Sequence, residues 1–343
     1  MTESTLGFPA ETVAVFIALS VGALALDLFM HRADRAISLR SALLWSLFWI
    51  AVALGFGLFL YVHHGVETAS LFLTGYALEK VLSVDNLFVI MAIFIWFSVP
   101  DNLRHRVLYW GIMGAIVFRG IFVALGTGLL HLGPWMEMVF AAAVAWTGVM
   151  MLKRKPQDEQ EIDYSQHLAV RATRRIMPLW PRLHGHSFIV TGRQARRLLA
   201  QPENQGLAGQ VTPGAWAYAT PLLLCLAVIE LSDVMFAFDS VPAVIAVSRE
   251  PLIVYSAMMF AILGLRTLYF VLEALKGYLV HLEKAVIVLL FFIAAKLALN
   301  ASDHLFHHGY ALSALASLWV VLGVLAAGIV ASLIFPERAA PER

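Results

Sequence analysis

The chain has 343 residues, of which 60% are hydrophobic and only 14% are charged, against about 25% charged in ordinary soluble domains. Its mean hydropathy is +0.79. These few charges cannot solvate the surface of a soluble protein of this size, so composition predicts a multi-span membrane protein. The 24 basic and 23 acidic residues nearly cancel, which disfavours a nucleic-acid binder.

A bilayer core requires about 20 apolar residues per helix, and the chain contains nine such runs. They cover residues 9–29, 42–62, 69–97, 107–130, 134–152, 216–245, 251–272, 279–299 and 312–335. The one long polar stretch is 153–214. We therefore expect an all-α polytopic fold with about nine transmembrane helices.

Lys and Arg residues outside the predicted spans are distributed very unevenly. Eighteen fall on one side of the membrane, and only Arg249 falls on the other. The positive-inside rule then predicts that the N-terminus is outside the cytoplasm and the C-terminus within it. Bases at the edges of spans or inside them are expected to be paired or functional, because buried charge is costly. They are Lys80, Arg119, Arg266, Lys284 and Lys296.

Two units of three predicted spans share one order of charged residues. The third span contains EKVLSVDN from Glu79, and the sixth contains DVMFAFDS from Asp233. The next span of each unit carries one central arginine, Arg119 in the first and Arg266 in the second. Because three is odd, the second unit enters the membrane from the opposite side. Such inverted repeats are typical of secondary transporters, which bind substrate near the repeat interface.

This pattern divides the chain into five parts. An N-terminal two-helix segment covers 1–68, and the first repeat covers 69–152. A basic cytoplasmic loop, 153–214, precedes the second repeat, 215–300, and a C-terminal helix with its tail covers 301–343. The loop has ten bases against five acids, which favours a solvated connector near anionic lipid. A regulatory or partner-binding surface is the alternative.

Five carboxylates lie in or near the predicted membrane centre, where an isolated charge costs about 2.5–3.5 kcal/mol or more. They are Glu79, Asp85, Glu230, Asp233 and Asp239. Acids six residues apart diverge by about 120° on a regular helix, so their convergence on one ion is expected to need a helix break, for example near Pro242. Oxygen ligands without His or Cys favour a hard cation such as Mg2+, Ca2+ or Mn2+.

The predicted metal site has Asp85 and Asp239 as central ligands. The other members are Glu79, Asn86, Glu230, Asp233 and Ser240. Predicted charge-balancing residues are Arg119, Arg266 and Lys296. The two arginines either pair with carboxylates or replace the cation in one transport state, and Lys296 either snorkels or contacts the site.

An outer loop contains His304, His307 and His308, which are candidate metal ligands at the outer mouth. A polar loop with chance histidines is the alternative.

The stretches EKVLSVDNLFV, IELSDVMFAFDSVPAV and FAILGLRTLYF resemble the TerC/Alx family of bacterial integral membrane proteins. The resemblance runs from about the first predicted span to the ninth, and GHSFIVTGRQ with YATPLLL resembles the Alx branch. It implies a member of a LysE-like transporter superfamily that exports divalent cations, chiefly Mn2+, across the bacterial inner membrane. It also implies that the seven metal-site residues above are the family's matching positions. The older family name refers to tellurium resistance.

We therefore expect an inner-membrane secondary transporter that exports divalent cations with proton coupling. The residues alone do not separate Mn2+ from Ca2+ or Mg2+. No phosphate loop and no nucleophile triad occurs, so we expect neither enzymatic activity nor a prosthetic group. Its expected partners are the transported ion and the lipid bilayer, without nucleic acid, and the sequence does not set an oligomeric state.

Two other functions remain open from the sequence. The chain could be a membrane component or scaffold of a metal or tellurite stress-resistance complex, recruiting soluble partners through residues 153–214. It could also be an intramembrane enzyme that uses paired carboxylates, although a repeat-symmetric set of acids fits an ion pathway better.

Overall fold

A computed structural model describes residues 8–30, 38–130, 132–153, 164–201, 206–207, 211–275, 282–306 and 312–334. Within these ranges, the side chains of residues 28–30, 85, 239, 275, 282 and 283 are not described. Helices dominate the described chain. They are α1 Ala10–Met30, α2 Leu39–Trp96, α3 Asp101–Leu130, α4 Pro134–Lys153, α5 Leu168–Ile176, α6 Gly192–Leu199, α7 Pro221–Ile245, α8 Pro251–Ile262, α9 Leu265–Leu275, α10 Leu282–Phe306 and α11 Ala314–Ile334.

Seven helices in the described ranges are long and apolar enough to cross a membrane. The pair α8 and α9, bent by 49°, brings the number to eight if it forms one span. The prediction of an all-α polytopic membrane protein is confirmed at this level. Many exposed side chains on these helices are large and hydrophobic, such as Leu44, Val62 and Leu125, as expected for surfaces that face lipid.

The helix α2 is interrupted at Gly65. It has 58 residues, so a straight helix would be about 87 Å long against a hydrocarbon core of about 30 Å. Gly65 has φ +86° and ψ 176°, which are not helical angles and which glycine adopts most readily. The chain therefore changes direction between residues 39–64 and 66–96.

The helix break expected near Pro242 is not found in the described backbone. Pro242 lies inside α7, three residues before its end at Ile245, so its missing N–H removes one helical hydrogen bond, to the carbonyl of Phe238, close to the helix end. Similarly, α2 remains helical through Asp85 and Asn86. The chain instead breaks between α8 and α9, where Gly264 has φ +79°.

Three helix pairs form the most extensive contacts of the described fold: α4 with α10, α2 with α8, and α3 with α7. Small residues allow close approach at these crossings. A Cβ on Gly126 of α3 would collide with Ile245 of α7, and a Cβ on Gly75 of α2 would lie 3.1 Å from the Cβ of Ala257 of α8. The acidic segments of α2 and α7 are thus held within the helix bundle.

The polar segment between α4 and α7 is folded where it is described. Its strands β1 Ile189–Thr191 and β2 Ala217–Ala219 pair antiparallel, and a capping box between Thr191 and Gln194 starts α6. A small apolar cluster lies beneath them. It contains Trp180, Val190, Ala195, Leu207, Val211 and Tyr218. The ring of Tyr164 packs against that of Trp96 of α2, with 5.7 Å between the ring centroids. This contact holds the segment against one end of the bundle.

Candidate functional site

A buried arginine links two of the predicted acids. Arg119 of α3 is paired with Glu79 of α2, and its Nη2 lies 3.2 Å from Oδ1 of Asp233 of α7. The side chains of Arg119 and Glu79 are 1% and 0% exposed. Ser83, one helical turn after Glu79, donates to its Oε1 at 3.3 Å. Side chains from three helices therefore form one charged cluster in the interior.

Glu230 also lies against α3, at Gly114. It precedes Asp233 by three residues, so both side chains point to one side of α7. The carboxyl group of Glu230 occupies the space that a Cβ on Gly114 would need. Gly111 lies one turn earlier on α3, and a Cβ at that position would lie only 3.3 Å from Cγ2 of Ile229. Because Gly114 has no side chain, the Glu230 carboxyl can lie close to the backbone of α3.

This acidic cluster is incompletely satisfied. Oε2 of Glu79, Oε2 of Glu230 and Oδ2 of Asp233 are buried and accept no hydrogen bond within the described part of the chain. Oγ of Ser240 is also buried without such a partner. Unsatisfied buried oxygens carry the full cost of desolvation. A cation or protons would offset that cost.

The two predicted central ligands, Asp85 and Asp239, lie on described helices, but their side chains fall outside the described residues. Asn86 is partly buried and Ser240 is buried. Among the side chains that the structure describes, no group of three or more His, Cys, Asp or Glu residues could hold a metal ion. The metal site thus stays a prediction, since the side chains of its two central ligands, Asp85 and Asp239, are outside the described part of the chain.

The second arginine, Arg266, pairs elsewhere. Its Nη2 lies 2.8 Å from Oδ1 of Asp27 and donates to the backbone oxygen of Asp27 at 2.9 Å. Arg266 therefore balances an acid of α1 and forms no described ion pair with the five predicted carboxylates. The matching arginines of the two predicted repeats therefore have different partners.

Lys80 and Lys296 lie on membrane helices and have different surroundings. Nζ of Lys80 donates to the backbone oxygens of Ala261 at 3.0 Å and Leu263 at 3.2 Å, at the end of α8. Lys296 lies on α10 and is 4% exposed. Lys80 therefore does not extend along its helix to reach solvent, because its ammonium group donates to the backbone of another helix.

A second ion-pair cluster joins α4, α10 and the α7–α8 connection. Glu137, with a side chain only 3% exposed, lies 2.6 Å from Nη2 of Arg249 and 3.6 Å from Nδ1 of His304. Arg249 and His304 are themselves 3.1 Å apart. His304 thus contacts an acid and an arginine, and His307 and His308 lie outside the described residues.

Asp27 and Glu137 are missing from the site predicted from the sequence. Both are acids at the edges of predicted spans, and both are buried. Their position inside an apolar run was the available signal. Their partners, Arg266 and Arg249, lie 239 and 112 residues away along the chain, so the pairing itself could not be read from local sequence.

Known proteins are similar to this chain over most of its length. The family model described as "Integral membrane protein TerC family" matches residues 64–340. A relative from Alcaligenes sp named "Tellurium resistance protein TerC" is 70% identical over 338 residues, covering 98% of each chain, and one of the same name from Serratia marcescens matches equally. A Photorhabdus laumondii relative named "Putative membrane-bound redox modulator Alx" is 36% identical over 312 residues, 88% of this chain and 90% of the other. No solved structure matches this chain.

Proposed function

Because the chain belongs to the TerC family of integral membrane proteins, we propose that it is a secondary transporter that exports divalent metal cations, most importantly Mn2+. It is a multi-pass protein of the bacterial inner membrane. The observation that carries the proposal is the shared arginine. Glu79 of the first predicted repeat and Asp233 of the second, which occupy matching motif positions, both contact Arg119.

The charge of this cluster supports a cationic substrate. Two acids, Glu79 and Asp233, share one described arginine, Arg119. A third acid, Glu230, lies one turn before Asp233 on α7, and Asp85 and Asp239 belong to the same helices. A surplus of buried carboxylates is stable only when protons or a cation neutralise it. Carboxylate oxygens suit Mn2+, Ca2+ and Mg2+. Protons that replace the departing metal ion would couple export to the proton gradient.

Helix packing supports the inverted repeat. A two-fold axis that relates the second half of α2 to α7, α3 to α8–α9, and α4 to α10 would exchange the α2–α8 contact with the α3–α7 contact. It would also map the α4–α10 contact onto itself. These three pairs are the most extensively packed in the described fold. The acidic segments of α2 and α7 would then meet beside the axis, where repeat-built transporters bind substrate.

The proposed topology has nine spans. Gly65 divides α2 into two spans, α8 and α9 together form one, and α1, α3, α4, α7, α10 and α11 provide the other six. The N-terminus is outside and the C-terminus is cytoplasmic, because 18 of the bases outside the predicted spans then lie in the cytoplasm. The Glu137–Arg249–His304 cluster is on the outer side in this orientation.

The test is cation uptake into proteoliposomes of purified protein, with Mn2+, Ca2+ and Mg2+ compared. Uptake of Mn2+ is expected to be fastest, and an acidic lumen is expected to accelerate it, because protons leaving the vesicle would drive cation entry. Asp85→Asn, Asp239→Asn and Glu79→Gln are expected to abolish uptake. Glu250→Gln, an exposed acid outside the site, is the matched control. Uptake by the site variants at the wild-type rate, or none by wild-type protein, would exclude the proposal.

A second candidate function is supported by the folded segment between α4 and α7. Its α5 and α6 expose Arg171, Arg174, Arg175, Arg193, Arg196 and Arg197, a surface that suits an acidic soluble partner. Two relatives carry tellurium resistance in their names. As a scaffold of a stress-resistance complex, the protein would lose tellurite resistance in cells when these arginines become glutamine, while Asp85→Asn would leave resistance intact. A transporter would respond in the opposite way.

A further inference from the structure

The end of α8 is an unusual helix terminus inside the bundle. α8 ends at Ile262 and α9 begins at Leu265, with a bend of 49° between them. The last carbonyl groups of a helix have no partner within it. Here they cannot reach bulk water, because Ala261, Ile262 and Leu263 are buried. Some other part of the protein must therefore satisfy them.

Two residues of α2 hold this break. Lys80 donates to the carbonyl oxygens of Ala261 and Leu263, at 3.0 and 3.2 Å. On the other side, the Trp49 side chain fills the space that a Cβ on Gly264 would need. The positive φ of Gly264, +79°, is one that other residues rarely adopt. The bend thus depends on contacts from α2, which lies outside the second predicted repeat.

The lysine and the break are both absent from the opposite half. The motif that begins Glu79–Lys80 in α2 begins Asp233–Val234 in α7. The alignment that matches Arg119 to Arg266 also matches Val117 to Gly264, and α3 continues unbroken through Val117. The second predicted repeat has the broken helix, α8–α9, and it is contacted by Lys80 of the first repeat. The first predicted repeat has the unbroken helix α3, and α7 has a valine in place of the lysine. This correspondence indicates that Lys80 stabilises the break between α8 and α9.

Lys80 also adjoins the site. Consecutive helical residues are about 100° apart around the axis, so Glu79 faces Arg119 of α3 while Lys80 faces the α8–α9 break. We propose that Lys80 is a positioning residue: its anchorage at the break fixes the rotation of α2 and so directs Glu79 into the acidic cluster. This inference rests on the proposed transport function for its kinetic consequence, but not for its structural one.

The kinetic test compares Lys80→Met and Lys80→Arg in proteoliposomes, with Lys153→Met, an exposed lysine at the end of α4, as the control. Lys80→Met is expected to raise KM for Mn2+ about tenfold and to change the maximal rate by no more than about twofold, because it misplaces a ligand. Lys80→Arg, which can still donate to two carbonyl oxygens, is expected to keep KM near that of wild type. An unchanged KM in Lys80→Met, or equal damage by both substitutions, would overturn the proposal.

A structural test does not require transport. A Cβ on Gly75, in the same half of α2 as Lys80, would lie 3.1 Å from the Cβ of Ala257 on α8, so cysteines at both positions are expected to form a disulfide under mild oxidation. Cys225→Ala first removes the one native cysteine. Adding Lys80→Met is expected to reduce cross-linking, and adding Lys80→Arg is expected to preserve it. Equal cross-linking in all three proteins refutes the positioning role. Reduced cross-linking in a protein that moves no cation would uphold that role and refute only the transport function.

Discussion

Arg119 donates to Asp233 across the α3–α7 interface at 3.2 Å while it also pairs with Glu79 of α2. Two carboxylates that occupy matching positions in the two predicted repeats thus share one buried guanidinium group. The remaining carboxylate oxygens have no partner in the described part of the chain. This arrangement makes specific predictions for each member of the cluster.

Arg119→Met should leave Glu79 and Asp233 without their cation. Removal of one partner from a buried ion pair costs about 3–5 kcal/mol, so a large fall in thermal stability in detergent is expected, together with loss of transport. The double variant Glu79→Gln/Arg119→Met also neutralises Glu79, so that only Asp233 is left without its cation, and should recover part of the stability without recovering transport. If the double variant is as unstable as Arg119→Met, the Arg119–Glu79 ion pair is not the source of the stability.

Gly114→Ala should displace the Glu230 carboxyl, because that group occupies the space of the new Cβ. We expect reduced cation affinity, measured as a higher KM for uptake into proteoliposomes. Gly128→Ala on the same helix is the control, since a Cβ at that position would have no atom within 4 Å. Equal KM values for the two variants would show that Glu230 does not need its described position.

Asp27→Asn should show whether Asp27 stabilises the fold or takes part in transport. Arg266 is 3% exposed and pairs with Asp27, and removing the charge of one partner from a buried ion pair costs about 3–5 kcal/mol. The variant should therefore unfold at a lower temperature in detergent but transport at a normal rate per folded molecule. Asp233→Asn is the comparison, with transport expected to fail. Loss of transport in a stable Asp27→Asn protein would assign Asp27 to the ion pathway.

Single cysteines should report the proposed orientation. In a Cys225→Ala background, Glu250→Cys in the α7–α8 connection and Arg193→Cys at the start of α6 introduce thiols at exposed positions. A membrane-impermeant maleimide applied to intact spheroplasts is expected to label residue 250 only. Labelling of residue 193 should require permeabilised cells. The reverse result would invert the topology and move the Glu137–Arg249 pair to the cytoplasmic side.

Helix positions were largely predictable because a run of apolar residues of bilayer length has few alternative structures. α1, α4 and α11 begin and end close to the predicted limits. Breaks were less predictable. The interruption at Gly65 falls between the predicted runs 42–62 and 69–97. The break at Gly264, however, lies inside the predicted run 251–272, whereas the proline at 242 was the obvious candidate.

The partners of the charged residues were not predictable. Sequence placed Arg119 and Arg266 at matching positions, but Arg119 joins the acidic cluster and Arg266 joins Asp27. The Lys80 anchor similarly spans 181 residues of sequence. Each partner is set by how helices distant in the chain pack against one another.

The sequence alone determined that this chain is a helical membrane protein of the TerC family and that acids recur in two apolar segments, because the cost of exposing polar backbone and charge to lipid acts on every residue locally. Only the tertiary structure decided which charges meet. Ion pairs and helix breaks depend on contacts across the bundle, and those contacts follow from the volumes of side chains that lie far apart in the sequence.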